Sequence, residues 1–353
     1  MTKRAWRRTW FGVHKWIGLC LAILIVPLCL SGAALVWDTA LDRVAHPARY
    51  AVSGSATLPA SRYVAAAERV LPPGERVASV AWPEGDGPVV VSAAPPGAGP
   101  VRPGPPIRTN IYLDPPSARV LDRASSASGP VRFLHRLHGS LFIPVAGRTI
   151  VGLIGVALAV SSLTGLWLWW PMTGRWVRGL RWRRHRHVDS NLHHLAGFWI
   201  ALPLFVLSVT GVWIAFPALT GGGHRRPPPA LPMARPSLAV DAVIARARAL
   251  TGGPATAVTW PTTRSADWTV AFGPTRTVKV ADDAGTAVAV AALGRGPGPG
   301  GSLMRRIHDG TGMGVVWQAV IVAGGLLPTL LAVTGTMTWW RERRWRGRAK
   351  PGP

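Results

Sequence analysis

Four apolar runs, at residues 16–37, about 147–170, 195–216 and about 315–340, limit what this 353-residue chain can become. Each holds about 22 to 26 residues. At ~1.5 Å per helical residue that is about 33 Å or more, enough to cross a ~30 Å hydrocarbon core. Asp, Glu and Lys are absent from all four, and the one charge is Arg148 at the rim of the second. The runs read as four transmembrane helices. Basic residues before the first run, with Ser31-Gly32-Ala33-Ala34 near its end, resemble a signal peptide. The matching third run lies mid-chain, where no signal peptide operates, so the first is read as a span as well.

Orientation follows from the basic residues. Lys3, Arg4, Arg7, Arg8 and Lys15 precede the first run. Arg175, Arg178, Arg181, Arg183, Arg184 and Arg186 fill the loop 171–190, and six more basic residues follow Trp340. The positive-inside rule puts these segments, and both termini, on the cytoplasmic side of the membrane. The formal charge of +25 therefore belongs to topology and to contact with lipid headgroups, and a nucleic-acid partner is not expected. Trp16, Trp37, Trp167, Trp169, Trp170, Trp339 and Trp340 lie at helix ends, as interface anchors do.

The resulting map has a basic N-terminus (1–15), a first span (16–37), an outer domain (38–134), and an outer histidine segment with the second span (135–170). A basic loop (171–190), a third span (191–216), a second outer domain (217–307), a second histidine segment with the fourth span (308–340) and a cytoplasmic tail (341–353) follow. The outer loops are too long to be mere connections. Residues 61–70 and 240–249 read as helices, each followed by a short strand ending at Trp82-Pro83 or Trp260-Pro261. Alternating stretches come next, at Pro88–Ser92 with Ile107–Leu113 and at Trp268–Phe272 with Thr277–Val280. Pro/Gly-rich pieces at 94–106 and 294–301 read as joints or tips. Each outer domain is expected to be a helix packed on a few antiparallel strands. Cys20 and Cys29 both lie in the first span, so no disulfide is expected outside it.

Histidines mark the same repeat. His14 and Gly18 lead to Ser31-Gly32, and His193 and Gly197 lead to Thr210-Gly211, with 18 residues from His to the second Gly in both. Arg136-Leu-His138 leads to Thr164-Gly165 and Trp169-Trp170. Arg306-Ile-His308 leads to Thr334-Gly335 and Trp339-Trp340, every landmark offset by 170. The expected architecture is an all-α transmembrane four-helix bundle of two parallel repeats carrying two small α+β extracytoplasmic domains. A pseudo-two-fold axis along the membrane normal then faces His14 with His193 near the cytoplasmic side and His138 with His308 near the outer side. Two imidazoles facing each other across a bundle suit the axial positions of a six-coordinate haem. Gly18, Gly32, Gly197 and Gly211 would remove bulk where helices or a macrocycle approach. Zinc is the rival, but no carboxylate or Cys shares the register. His135, His185, His187, His194 and His224 break the repeat and read as surface or supporting residues.

These motifs resemble the PepSY-associated transmembrane family, whose members include iron-regulated membrane proteins and periplasmic ferric-siderophore reductases. The likeness rests on His14-x-x-x-Gly18, on Leu137-His138-Gly-Ser-Leu141 with Gly165-Leu-Trp-Leu-Trp, on His193-x-x-x-Gly197 with Thr210-Gly211, and on His308 with Thr334-Gly335. The outer domains look like PepSY domains through helix-then-strand order and strand ends near Asp114 and Asp282. In the reductase branch the resemblance implies two b-type haems, with His14, His193, His138 and His308 as axial ligands, passing electrons outward to iron in a siderophore or another ferric chelate. Arg136 and Arg306 are placed to hold propionates or an anionic chelate. No side chain is expected to act as a proton relay or nucleophile. No Gly-rich nucleotide fingerprint such as G-x-G-x-x-G is read as following a strand, so the donor is expected to be separate: a quinol, a reduced flavin or a reductase. Two other readings stay open here. One is a haem-free PepSY membrane protein that binds peptides or regulates a protease, and the other is the haem subunit of a larger oxidoreductase.

If the register reports cofactor ligation, the purified protein carries a low-spin b-type spectrum with about two haems per chain. Covalent attachment is not expected, because C-x-x-C-H is absent. A pyridine haemochrome assay checks this, and no Soret band after expression with ample haem would overturn it.

Overall fold

The structure is a computed structural model. It describes residues 2–83, 85–97, 106–170, 180, 185–216, 230–273, 276–291 and 299–348. The basic loop's Arg175, Arg178, Arg181, Arg183 and Arg184, most of the two Pro/Gly-rich pieces, and His224 lie outside these residues. Two compact units result. A helical unit comprises residues 1–38, 133–223 and 299–353, and a sheet unit comprises 39–132 and 224–298.

Four long helices form the helical unit's framework: α1 (Lys3–Leu35), α5 (Gly147–Trp169), α6 (Val188–Ala215) and α9 (Gly314–Arg348). All four are long and apolar enough to cross a membrane. They pack in a ring in which α1 touches α5 and α9, and α6 touches the same two. Large apolar side chains point away from the ring, among them Ile23, Leu153, Leu202 and Leu326. Such a surface is stable against lipid and not against water. Small residues bring the axes together. A methyl group built on Gly155 would meet Val212, and one on Gly325 would meet Ala33 and the Cys29 carbonyl. Gly155 and Gly325 are 170 residues apart, and Ala33 and Val212 are 179 apart, so the same crossing occurs on both sides of the ring. Two helices begin earlier than their apolar runs. α1 starts at Lys3, which places His14 inside the helix instead of ahead of it, and α6 starts at Val188. Two short amphipathic helices, α4 (Pro130–Ser140) and α8 (Pro299–Asp309), carry His138 and His308.

The expectation of two separate α+β domains needs correction. The sheet unit holds one eight-stranded antiparallel sheet in the order β4-β3-β2-β1-β5-β6-β7-β8. Its strands are β1 (Arg76–Ala81), β2 (Val89–Ala94), β3 (Thr109–Leu113) and β4 (Val120–Ser125), then β5 (Ala257–Thr259), β6 (Asp267–Phe272), β7 (Arg276–Ala281) and β8 (Ala287–Ala291). The halves fuse because β1 pairs with β5, Val80 facing Val258 between the Ser79–Thr259 and Ala81–Ala257 pairs. Both valines are fully buried, so the join is part of the core and not a surface contact. Helices α3 (Ala60–Glu68) and α7 (Val240–Thr251) touch each other and pack on their own halves, sealing a core of Tyr63, Val91, Ile111, Trp268 and Val280. β-Branched side chains dominate the alternating buried positions, as a sheet with one covered face requires. The two halves differ mainly in one connection. Trp82 and Trp260 are 178 residues apart while Asp114 and Asp282 are 168 apart, and the difference falls wholly between β2 and β3 against β6 and β7.

Asp114 and Asp282 end β3 and β7 as buried carboxylates. Asp114 accepts from the Ser53 amide (2.7 Å) and hydroxyl (2.8 Å) and from Ser117. Asp282 accepts from the Ser237 and Leu238 amides (2.7 and 3.1 Å) and from Trp268 Nε1 (2.7 Å). Each ties the segment before a packed helix to the end of a strand. Burial works to raise both carboxyl pKa values, but the converging hydrogen bonds outweigh it and hold them below the usual carboxylate range. Their contribution is complete above the unfolded value of ~3.9 and is lost as pH falls through the lower folded values. Asp282→Asn is expected to lower stability by about 2–4 kcal/mol and to flatten the acid limb of the stability profile below pH ~4. Near-ultraviolet circular dichroism of the unfolding full chain checks both effects.

Candidate functional site

Each of the four in-register histidines rests on a Ser/Thr-Gly dipeptide of another helix. His14 from α1 lies on Gly165 of α5, and a methyl group built on that glycine would sit 3.0 Å from the ring. His193 from α6 lies on Gly335 of α9, with a corresponding 3.1 Å. His138 from α4 lies on Gly32 of α1 (2.6 Å), and His308 from α8 lies on Gly211 of α6 (3.0 Å). Glycine is needed at these points because the imidazole occupies the volume a Cβ would fill.

Acceptors on the helix that carries each glycine fix the ring's tautomer. Nδ1 of His14 approaches the Ser161 carbonyl at 3.1 Å and Thr164 Oγ1 at 3.2 Å. Nδ1 of His308 approaches the Leu207 carbonyl at 3.0 Å and Thr210 Oγ1 at 3.1 Å. Nδ1 of His193 meets Thr334 Oγ1 at 3.1 Å, and that of His138 meets the Leu28 carbonyl at 2.8 Å. A carbonyl only accepts, so Nδ1 carries the hydrogen. The threonine hydroxyls already donate to carbonyls of their own helices, Thr164 to Val160, Thr210 to Val206 and Thr334 to Leu330, and therefore accept from Nδ1 as well. Every ring is left with a bare Nε2 lone pair. This is the arrangement of a metal-binding histidine, whose other nitrogen donates to a carbonyl.

The rings meet in two pairs. His14 and His193 have centroids 6.4 Å apart, and His138 and His308 have centroids 6.0 Å apart. Two imidazoles sharing one metal at ~2.0–2.1 Å from each nitrogen have ring centres roughly 6 Å apart. Among the described residues no group of three His, Cys, Asp or Glu gathers, so a tetrahedral protein-only cage is not built there. The donor set of two facing imidazoles in each pair suits the axial positions of a haem.

Arg136 and Arg306 each turn to the loop beyond their own helix. Arg136 is exposed and lies over the Phe142 ring at 5.3 Å, and Arg306 donates to the Thr311 and Gly312 carbonyls at 3.3 and 3.4 Å. Both brace the turn that follows a histidine helix. In one turn Leu141, Phe142 and Val145 take positive φ, and in the other Gly310, Gly312 and Gly314 do. Non-glycine residues pay about 1–2 kcal/mol each for that conformation.

Sequence reasoning missed the Ser/Thr partners and the roles of Gly165 and Gly335, although the Thr-Gly landmarks were visible. Gly32 and Gly211 relieve bulk as expected, for a ring instead of a helix. A methyl group on Gly197 would make only ordinary contact, with Leu331 at 3.8 Å. Of the histidines outside the register, His194 stacks on Trp169 at 5.7 Å and meets His185 edge-on at 5.3 Å.

The family model of the PepSY-associated TM region matches residues 11–342. A stretch of 89 residues is 37% identical to part of a Pseudomonas aeruginosa protein named only as uncharacterized protein PA4219. That match spans 24% of this chain and 22% of the relative.

Glycine-to-alanine exchange separates a ring seat from an ordinary helix position. Gly12→Ala, with nothing near its Cβ, is expected to be silent or to stabilise by up to ~1 kcal/mol through helix propensity. Gly32→Ala and Gly165→Ala force a ring aside and are expected to cost about 1–3 kcal/mol. On the haem reading, each is also expected to lower haem content at its own histidine pair only. Thermal unfolding and haem-to-protein ratio, read on the same samples, decide the matter; equal behaviour of Gly12 and Gly32 variants would refute the seat.

Proposed function

The chain belongs to the family of the PepSY-associated TM region, and we propose that it is a membrane electron-transfer protein that reduces ferric iron bound in a siderophore or similar chelate. On this reading one b-type haem lies between His14 and His193 and another between His138 and His308. The observation that carries it is the pairing itself: four buried-edge imidazoles, each with Nδ1 committed to another helix, face each other at 6.0 and 6.4 Å. Single histidines at helix ends have no need of such seats.

The bound haem supplies one-electron redox chemistry, and the chain supplies binding, orientation and insulation. Nδ1 hydrogen bonds hold each ring and leave Nε2 as the nitrogen available to a metal. The apolar ring of helices excludes water, which favours electron transfer without a coupled nucleophile or proton relay. α1 carries His14 and also Gly32, the seat of His138. The 18-residue separation places the two pairs about 27 Å apart along the helix axis. Two stations so spaced suit a relay across the bilayer.

Two parallel copies of one helix–domain–helix unit account for the recurring offsets, and the positive-inside rule puts both termini in the cytoplasm. The halves of the sheet unit are read as PepSY-like lobes, each closed by its buried Asp114 or Asp282. The sheet unit is the portion large enough to recognise a bulky chelate. A ferric siderophore holds Fe(III) with hard oxygen donors, and the softer Fe(II) is held less firmly, so one electron promotes release.

Reduced protein in vesicles is expected to be reoxidised by ferric siderophore added on the outer face only. Arg136→Ala combined with Arg306→Ala is expected to slow that step, or to loosen the haem at His138/His308, while leaving the His14/His193 signal unchanged. Stopped-flow spectra in the α-band region report each step. Reoxidation from the cytoplasmic face alone would contradict the orientation and the function together.

A further inference from the structure

The recurrence between α1 and α6 fails on the turn that carries the first histidine pair. Gly12 and Lys15 stand in α1 where Asn191 and His194 stand in α6, at the same 179-residue offset. Asn191 is buried and spends its side chain on one task. Its Oδ1 accepts from the His185 amide at 2.7 Å, and its Nδ2 donates to the His185 and His187 carbonyls at 2.8 and 3.0 Å. This clamp holds the exposed His185 ring edge-on to His194 at 5.3 Å. His194 in turn stacks on Trp169 at 5.7 Å, and Trp169 stacks on Phe198 at 4.1 Å. Trp169 is only 4% exposed and lies one turn beyond Gly165, the seat of His14. The ring at the matching position, Trp339, instead faces the Arg343 guanidinium at 5.5 Å. A run of π systems therefore leads from an exposed imidazole to a buried ring one turn from the seat of His14, and among the described residues the matching Trp339 has no such stack.

We propose that this cluster is where a lipid-soluble hydroquinone docks and delivers electrons. The proposal rests on the di-haem reading and names its donor. A hydroquinone head is flat and aromatic, which suits the Trp169–His194 stack, and its hydroxyl groups are donors that an imidazole accepts. Trp199 and Leu202 on the same helix are 64% and 69% exposed, giving an apolar flank for a prenyl tail. In the full step the hydroquinone loses two hydroxyl protons and two electrons and becomes the quinone. The electrons would leave singly to a haem held by His14 and His193, which would have to pass the first onward before taking the second. The protons pass through His185, which is exposed, to water. A nicotinamide donor fits less well, because it gives up a hydride and an iron centre takes one electron at a time.

The test uses the full-length protein in liposomes with a decyl-chain benzohydroquinone as donor. His185→Ala and Asn191→Ala are expected to slow haem reduction by the hydroquinone at least ten-fold. Haem content and reduction by dithionite are expected to stay at the wild-type level. An azidoquinone is expected to label peptides containing Trp169 and His185, in haem-loaded and in haem-depleted protein alike, which gives a readout independent of turnover. Hydroquinone reducing wild type and both variants at one rate would overturn the site while leaving the haem reading intact. Reduction by reduced flavin mononucleotide alone, with hydroquinone inert and label elsewhere, would overturn it too. A protein with no haem spectrum would overturn the reading beneath it, an outcome the dithionite control identifies separately.

Discussion

Hydrogen bonds from four histidine Nδ1 atoms to carbonyls or threonine hydroxyls of neighbouring helices organise the helical unit. In a membrane interior an unpaired N–H is costly, so a ring placed there must find an acceptor, and helix carbonyls already serve their own ladder. The second lone pair of a carbonyl four residues before the seat glycine, or the hydroxyl next to that glycine, meets that need. Once Nδ1 is bound the ring can rotate little, and the glycine beside it fixes how deeply it sinks. The geometry of both pairs then follows from where four Ser/Thr-Gly dipeptides lie along α1, α5, α6 and α9. Helix crossings at Gly155 and Gly325 set those positions, so cofactor geometry and bundle packing are one problem.

Much of this was legible in the sequence. Span length follows from bilayer thickness, so the four apolar runs located the four long helices to within a few residues at most ends. Register fixed the histidine partners, because offsets of 179 and 170 bring His14 to His193 and His138 to His308 without any knowledge of side-chain direction. What stayed hidden depended on contacts between distant segments. Thr164 and Thr334 look like ordinary small residues of an apolar helix until a ring from another helix reaches them. The early start of α1 was hidden because Lys3 to Lys15 are polar, and hydropathy marks the hydrocarbon core and not the helix. Asn191 and the Trp169–His194 stack were hidden for a further reason: a repeat pattern draws the eye to what recurs, and these residues do not.

The sheet unit teaches a different lesson. Helix-then-strand order was readable in each half, since alternation over Trp268–Phe272 and the Trp-Pro punctuation are local signals. The fusion of the halves was not, because β5 is three residues long and its partner lies about 180 residues earlier. A strand so short has no detectable period of its own. Its place is set by Val258, which is buried only because Val80 lies opposite.

That junction carries a consequence of its own. The β1–β5 register is self-complementary, with Val80 opposite Val258 and the flanking residues exchanged across a local dyad. A strand with such a register pairs equally well with a copy of itself, which is the defining property of an isologous interface. One half of the chain therefore holds, in its edge strand, the means to assemble as a homodimer. Joining two such halves in one polypeptide turns an association that depends on concentration into one that does not, and frees each half to change alone. The β2–β3 connection, ten residues longer than its counterpart, is a change that a symmetric dimer would have had to carry twice.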